Sequence, residues 1–232
     1  MSIREDIIDG SLAYSSRRGL IYTEVLGWVD LGHAQGSDIL KLWSQFQTGE
    51  SQRDAYYEVT YSQLMADRRR FIRLGKFIKW RIRKGRTYPE RQSIVLSIMM
   101  TLAKRFESFQ GAFPNNIVTD SGFSGEDLVS DLLGFYRIMS CINPFPMLRP
   151  VSKEEALKRW DYYGKIGSWK NETFQPLLFP DPERFPNARP HLGYLPGFMQ
   201  TIRPYTDWNS GNVAISTVNG SFMQFGKGAP MI

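Results

Sequence analysis

Hydrophobic and polar residues follow two different periods in the first part of the chain. Residues 20–33 are rich in β-branched and aromatic side chains and are interrupted by Gly27 and Gly32, which predicts one or two short strands. Residues 37–47 begin with a serine suited to an N-cap and then carry apolar side chains at helical spacing. Residues 56–61 alternate again, so the predicted order is strand, helix, strand.

Two longer apolar patterns with helical spacing follow. Apolar residues recur at this spacing from Glu90 to Phe109, which predicts a long buried helix. Residues 128–139 are apolar on most of a helix circumference, which is typical of a core helix. A shorter helix is predicted after Ser152, where Glu155 three residues later completes a capping box.

The last third of the chain is rich in proline. Ten of the 13 prolines lie between Pro144 and Pro204. Each proline removes a backbone donor and resists helix formation, so this region is predicted to be an extended covering arm. Residues 213–225, around Asn219-Gly220, carry the strongest β-hairpin signal in the chain. We therefore expect an α+β fold, in which a small antiparallel sheet packs on core helices and a Pro-rich C-terminal arm ends in a hairpin.

The predicted organisation is a single domain over residues 1–232. Residues 20–143 form its predicted catalytic core, and residues 144–232 form the Pro-rich arm and hairpin. A length of 232 residues with 42% hydrophobic content is ordinary for a globular chain, and it excludes a disordered, collagen-like or disulfide-scaffold protein.

The composition also limits metal and cofactor chemistry. Cys141 is the only cysteine, so the chain can form neither an internal disulfide nor a thiolate zinc site. His33 and His191 are the only histidines, which argues against a His-rich metal centre. The sequence contains no nucleotide-binding glycine loop and no flavin fingerprint, so no metal and no cofactor are expected.

The sequence predicts no membrane span and no secretory signal peptide. The longest central stretch without charge, residues 92–103, is far shorter than the roughly 20 apolar residues that cross a bilayer. The first residues carry two acids and no apolar core of a signal peptide. We expect synthesis in the cytoplasm without a signal peptide, so export would need a specialised secretion system.

The positive charge of the chain is concentrated in one segment. Ten basic residues and no acid lie in residues 68–86, here called the basic ribbon, whereas the rest of the chain is slightly acidic. Within it Lys79, Arg81 and Arg83 alternate with apolar residues around Trp80, as in a strand with one buried and one solvated face. This face could meet phosphates, anionic lipid headgroups or a carboxylate-rich cell wall. Alternatively, it protects the edge of a sheet against aggregation.

His33 is the first candidate catalytic residue. It follows a hydrophobic strand in a turn loosened by glycine, where a general base is often presented, and it is one of only two imidazoles in the chain. Glu58 lies on the polar side of the next strand and would orient His33 if the two strands are neighbours. Four other acids stay open for this role: Asp30, Asp120, Glu126 and Asp127.

Ser124 is the second candidate. It precedes a buried helix and is flanked by Gly122 and Gly125, so the helix N-terminus would stabilise negative charge on a nucleophile or an oxyanion. Alternatively, Ser124 is an ordinary N-cap with Asp127 three residues later. The second glycine comes one position too early for the Gly-x-Ser-x-Gly elbow of α/β-hydrolases.

The order of these residues resembles that of the circularly permuted papain-like hydrolases, the group that includes relatives of lecithin:retinol acyltransferase. In that family a cysteine opens a helix with the sequence Tyr-Cys-Ser-Glu-Leu-Val. Residues 123–129 read Phe-Ser-Gly-Glu-Asp-Leu-Val, which is similar with one residue inserted and serine in place of cysteine. The resemblance covers roughly residues 20–140 and implies Ser124 as nucleophile, His33 as base and Glu58 as third member. A serine in this position needs stronger activation than a thiol.

Two segments also look like parts of a family of bacterial proteins with envelope or secreted roles, residues 27–33 and residues 124–129. That likeness implies a hydrolase that acts on the envelope. In its general properties the chain is similar to antibacterial effectors delivered by type VI secretion. This similarity implies a secretion-system carrier or an immunity protein as a partner.

Three functions are therefore expected as alternatives. The first is a Ser-His-Glu hydrolase that cleaves an amide bond in the peptide of peptidoglycan. A variant of this function is hydrolysis of a lipid acyl ester or acyl transfer. In either case Trp80, Arg81 and Arg83 would bind an anionic envelope polymer or lipid headgroups. The second is a non-enzymatic protein that binds nucleic acid or another partner through the basic ribbon, although nucleic acid is the less expected ligand. The third is a structural or immunity-type protein without an active site.

Overall fold

The computed structural model describes residues 2–66, 72–110, 124–140 and 142–225. The chain divides into two compact units: Met1–Gly36 with Asp120–Thr201, and Ser37–Thr119 with Ile202–Ile232. The boundaries predicted from the sequence, 20–143 and 144–232, do not coincide with these units. Cys141, Asp120 and Gly122 lie outside the described residues, as does the part of the basic ribbon before residue 72.

Seven strands and five helices are described. The strands are β1 (Leu20–Thr23), β2 (Gly27–Asp30), β3 (Tyr56–Ala66), β4 (Ile72–Arg83), β5 (Leu177–Leu178), β6 (His191–Leu192) and β7 (Val213–Phe225). The helices are α1 (Ser37–Ser51), α2 (Tyr88–Gln110), α3 (Asp127–Ser140), α4 (Phe145–Leu148) and α5 (Lys153–Tyr163). No helix in the described ranges is both long and apolar enough to cross a bilayer.

The first unit is built on a small sheet with the strand order β1-β2-β5-β6. β1 and β2 pair antiparallel with Leu20 opposite Asp30, β2 meets β5 in parallel, and β5 pairs antiparallel with β6. A buried cluster packs on this sheet, and it contains Trp28 of β2 together with Trp160 and Phe179. The segment predicted to be a covering arm therefore supplies part of the hydrophobic core of this unit.

The second unit is a three-stranded antiparallel sheet with the order β3-β4-β7. Alternate residues of β4 are buried, among them Ile78, Trp80 and Ile82, which confirms the predicted alternation. α1 packs on β3, where Phe46 lies against Tyr57 with ring centroids 5.8 Å apart. α2 contacts both β3 and β4. The buried face of the sheet thus forms the core of this unit with the two helices.

The predicted α+β class with small, mostly antiparallel sheets is confirmed. The predicted helices over 37–47, 90–109 and 128–139 are present as α1, α2 and α3. The N-cap predicted for α5 is also present, because the Ser152 hydroxyl accepts a hydrogen bond from the Glu155 N–H.

The predicted C-terminal hairpin is wrong. β7 runs through Asn219-Gly220 as one strand and pairs with β4 along its length, from Ile82↔Val213 to Ile72↔Phe225. The register between β4 and β7 shifts at residues 77–80 of β4. The segment of β7 that resembled a turn therefore lies at an irregularity of the strand pairing. A long partner strand outweighs the local turn preference because β4 pairs with the backbone of β7 both before and after Asn219-Gly220.

Candidate functional site

His33 lies directly after β2, in a turn that the chain builds from its own side chains. The Asp30 carboxylate at the end of β2 accepts hydrogen bonds from the N–H groups of Gly32, at 2.6 Å, and His33, at 3.3 Å. An aspartate that bonds to the backbone two residues later is a common turn device. It starts the single 3-10 turn His33–Gln35 and fixes the backbone of His33.

α3 holds this turn at two further points. The Asp30 N–H donates to the Ser130 hydroxyl at 3.0 Å, and the Arg137 guanidinium donates to the Ala34 carbonyl at 2.6 Å. Ser130 and Arg137 therefore anchor the chain on both sides of His33. The helix acts as the support of the histidine turn as well as a core element.

Two glycines permit the close approach of the turn to α3. Gly36 has φ of 65°, and a Cβ there would lie 2.4 Å from the Gly134 carbonyl oxygen. A Cβ on Gly134 would lie 2.9 Å from the His33 carbonyl oxygen and 3.0 Å from the Gly36 nitrogen. Because all of these neighbours are backbone atoms, a side chain at either position would separate the turn from the helix.

This packing places His33 against Asp131, one helical turn before Gly134. The imidazole Nδ1 lies 2.9 Å from the Asp131 carboxylate oxygen. The His33 side chain is 37% exposed, whereas that of Asp131 is 9% exposed. Within the described residues Nε2 of His33 has no hydrogen-bond partner, so this nitrogen is left for a ligand. We refer to the two side chains as the His33–Asp131 pair.

The electrostatic surroundings favour the protonated imidazole. Burial lowers the pKa of His33, but the charge of Asp131 and its hydrogen bond raise it, and the charges of Asp30 and Asp127 act in the same direction. The net result is a pKa of His33 well above its usual value of 6.5. The raised pKa favours the imidazolium form of His33 beside Asp131 and moves its basic form to higher pH.

Ser124, the candidate nucleophile, lies three residues before the start of α3. Its side chain is buried, with 1% of the residue exposed, and its hydroxyl donates to the Glu126 carboxylate. The second oxygen of that carboxylate accepts from the Ser2 hydroxyl at 2.9 Å, and Glu126 is itself buried. α3 begins at Asp127, and the Asp127 N–H bonds to the Ser124 carbonyl oxygen. The Ser124 hydroxyl therefore bonds to Glu126, just before the start of α3.

Glu58 lies in the second unit, on the exposed side of β3, where its strand partner is Arg81. The acid that bonds to His33 is Asp131 and not Glu58, the residue that the strand order suggested. Arg81 and Arg83 are exposed on β4, as predicted. Trp80 is 2% exposed, and its ring packs 5.6 Å from that of Trp208, so it is a core residue and no platform for a ligand.

Asp131, Ser130, Arg137 and Gly134 were not singled out in the sequence. The signal that could have revealed them is the placement of Asp127 and Asp131 at i and i+4 in a helix that is otherwise apolar. A carboxylate in a core helix needs a partner, and His33 is one of only two histidines. The other, His191, is exposed on β6, and its Nδ1 lies 3.2 Å from the Arg189 carbonyl oxygen.

The acids around His33 do not form a metal site. Across the described parts of the chain, no group of three or more His, Cys, Asp or Glu side chains converges as metal ligands would.

Comparisons with family models, with curated proteins and with solved structures give no match to this chain.

Proposed function

We propose that this protein is a hydrolase in which the His33–Asp131 pair is the acid–base centre. The observation that supports the proposal is the hydrogen bond that Nδ1–H of the partly exposed His33 imidazole donates to the Asp131 carboxylate, while Nε2 has no partner among the described residues. In serine hydrolases a nearly buried carboxylate in this position fixes the tautomer of the base and stabilises its protonated form. The chemistry depends on this arrangement and not on the fold.

The proposed nucleophile is Ser124. In the reaction Nε2 of His33 accepts the Ser124 proton while the oxygen attacks the substrate carbonyl carbon. The same proton then passes to the leaving amine or alcohol, and water releases the acyl group by the reverse steps. Before attack the Ser124 hydroxyl has to leave Glu126, to which it donates in this structure. In the resting state the nucleophile is therefore hydrogen-bonded to Glu126.

The proposed substrate is an amide bond in the peptide of peptidoglycan, with a lipid acyl ester as the alternative. The order of His33 and Ser124 in the chain supports a permuted papain-like arrangement of the first unit, and cleavage of either bond is an acyl transfer that a Ser-His site performs. We also propose that the protein is delivered as an antibacterial effector, because its general properties are similar to those of effectors delivered by type VI secretion.

The test is hydrolysis of purified peptidoglycan, measured as newly formed amino groups, and of phospholipid vesicles, measured as free fatty acid. His33→Gln and Asp131→Asn are each expected to lower kcat/KM by about 10²- to 10⁴-fold, the usual contribution of general acid–base catalysis. Ser124→Ala is expected to abolish the acyl-enzyme intermediate, which mass spectrometry detects as a mass increase of the chain.

The matched control is His191→Gln, because it removes the only other imidazole at an exposed position. Full activity of His33→Gln, with circular dichroism showing a folded protein, contradicts the proposal. If His33→Gln loses activity and Ser124→Ala keeps it, the acid–base centre is supported and the nucleophile is water instead of Ser124.

A further inference from the structure

The outer face of β4 carries three cations for which the described part of the chain provides no ion pair. Lys79, Arg81 and Arg83 alternate along the strand on the side away from the buried residues, and Arg81 and Arg83 are exposed. Among the described residues none of the three takes part in an ion pair, whereas Arg86 of the same ribbon pairs with Glu90. Three neighbouring cations without counter-ions repel one another and attract an anionic ligand.

Protection of a sheet edge does not account for this face. β4 is the central strand of its sheet, and its backbone is paired with β3 on one side and with β7 on the other. Charged residues that prevent aggregation are needed on edge strands, where backbone groups are unpaired. The cations of β4 therefore need another explanation.

The surroundings of the cations favour an anion. Glu58 is the only acid in β3, β4 and β7, and it stands opposite Arg81 without forming an ion pair. On the other side Ala214 and Thr217 are the strand partners of Arg81 and Lys79. The face thus offers three positive charges against one negative charge.

The spacing of the charges favours a linear ligand. Alternate residues of an antiparallel strand are about 7 Å apart, so the three cations form a straight row with that period. This is comparable to the separation of successive phosphates in an extended single strand, whereas the phosphates of a duplex follow a helical path. A lipid surface has no such linear period.

A partly exposed aromatic ring lies beside the row. Tyr56 on β3 is 40% exposed, and the Arg81 guanidinium lies 5.1 Å from its ring centroid. Proteins that bind single strands combine a row of cations with rings on which the bases stack. We propose that the outer face of β3 and β4 binds single-stranded nucleic acid, with phosphates on Lys79, Arg81 and Arg83 and one base on Tyr56. This inference is independent of the proposed hydrolase.

The test is fluorescence anisotropy of a labelled oligothymidylate of about 12 nucleotides, a length within the usual site sizes, with the full chain at several salt concentrations. Three phosphate contacts predict a slope of log K against log salt of about −2, since each contributes about −0.7 in a single strand. Arg81→Ser should weaken binding and make the slope less negative by about 0.7. Glu58→Gln should strengthen binding because it removes the only acid of the face.

Two matched variants complete the design. Lys41→Ser removes one exposed cation from α1 in the same unit and should leave affinity unchanged. Tyr56→Ser should weaken binding of oligothymidylate about fivefold or more but not that of an abasic strand of equal length. Equal losses in Lys41→Ser and Arg81→Ser would overturn the proposal. Binding of anionic phospholipid vesicles without binding of the oligonucleotide would overturn it as well.

Discussion

At the scale of single residues, the His33–Asp131 pair has a measurable effect on stability. Because the folded pKa of His33 is raised above its unfolded value of about 6.5, protonation favours the folded state. The stabilisation is fully present below about pH 6.5 and is lost as pH rises through the folded pKa. A carboxylate as buried as Asp131 is also costly to leave without its charged partner.

We therefore predict that His33→Gln lowers the free energy of unfolding at pH 5.5 to 6 more than at pH 9. Urea unfolding at a series of pH values measures this difference, with His191→Gln as the control. If the free energies of unfolding of wild type and His33→Gln differ by the same amount at every pH, protonation of His33 does not stabilise the folded state.

Trp80 shows how a single residue can be misjudged from the sequence. Its position within the basic ribbon suggested a residue that binds an anionic ligand, but the strand alternation places its ring in the core against Trp208. We predict that Trp80→Ala destabilises the protein by about 3–5 kcal/mol, the usual cost of removing a buried tryptophan. Arg81→Ala, one residue along the strand and exposed, should change the unfolding free energy by no more than about 0.5 kcal/mol. Similar unfolding midpoints for the two variants would contradict the assignment of Trp80 to the core.

At the scale of elements, the geometry of the site depends on the contact between α3 and the histidine turn. We predict that Gly134→Ala destabilises the protein by about 1–3 kcal/mol, because the new Cβ meets backbone atoms of His33 and Gly36. The turn would move away from α3 and weaken the bond between His33 and Asp131, so the pKa of His33 should fall toward its usual value.

The control for this variant is Gly197→Ala, since a Cβ at Gly197 meets no atom within 4 Å. Chemical unfolding and NMR titration of the histidine signals follow the two effects separately. A Gly134→Ala protein with unchanged stability and an unchanged His33 titration would show that the close contact is unimportant.

The elements themselves were largely predictable, because strand and helix periods are local properties of the sequence. α1, α2, α3 and the strands around His33 follow from the spacing of their apolar residues. The hairpin at Asn219-Gly220 was mispredicted because the pairing of β7 with β4 joins residues far apart in sequence. Such a pairing competes with a local turn signal and leaves no pattern in either segment alone.

The site was predictable only in part for a similar reason. The placement of His33 after a strand in a glycine-rich turn was visible in the sequence. The partnership with Asp131 was not, because it depends on two glycines, Gly36 and Gly134, that lie almost 100 residues apart. The order of strands along the chain suggested Glu58, and the alternatives that stayed open included Asp127 of the core helix but not Asp131.

At the scale of the whole molecule, the two proposed activities lie in different compact units. The His33–Asp131 pair belongs to the first unit, and the cationic face of β4 belongs to the second. We predict that the double substitution Arg81→Ser and Arg83→Ser abolishes oligonucleotide binding but leaves the hydrolysis of a small soluble ester unchanged. His33→Gln should have the opposite pattern. Loss of both activities in either variant, with the fold intact, would contradict this separation.

The charge of the molecule is consistent with this division. Net charge is +6, and the basic ribbon alone contributes ten positive charges. The surroundings of His33 are acidic instead, with Asp30, Asp127 and Asp131 acting on one imidazole. A salt titration should therefore weaken oligonucleotide binding strongly while leaving the His33 titration little changed, because a partly buried pair is less screened than an exposed face.

An NMR titration of the His33 ring in the wild-type protein and in Asp131→Asn tests the His33–Asp131 pair most directly, because it requires no assumption about the substrate. We expect His33 to titrate well above pH 6.5 in the wild type and its pKa to fall clearly when Asp131 is replaced. A His33 signal that titrates near 6.5 in both proteins, like that of an unpaired histidine, would contradict the pair and with it the proposed acid–base centre.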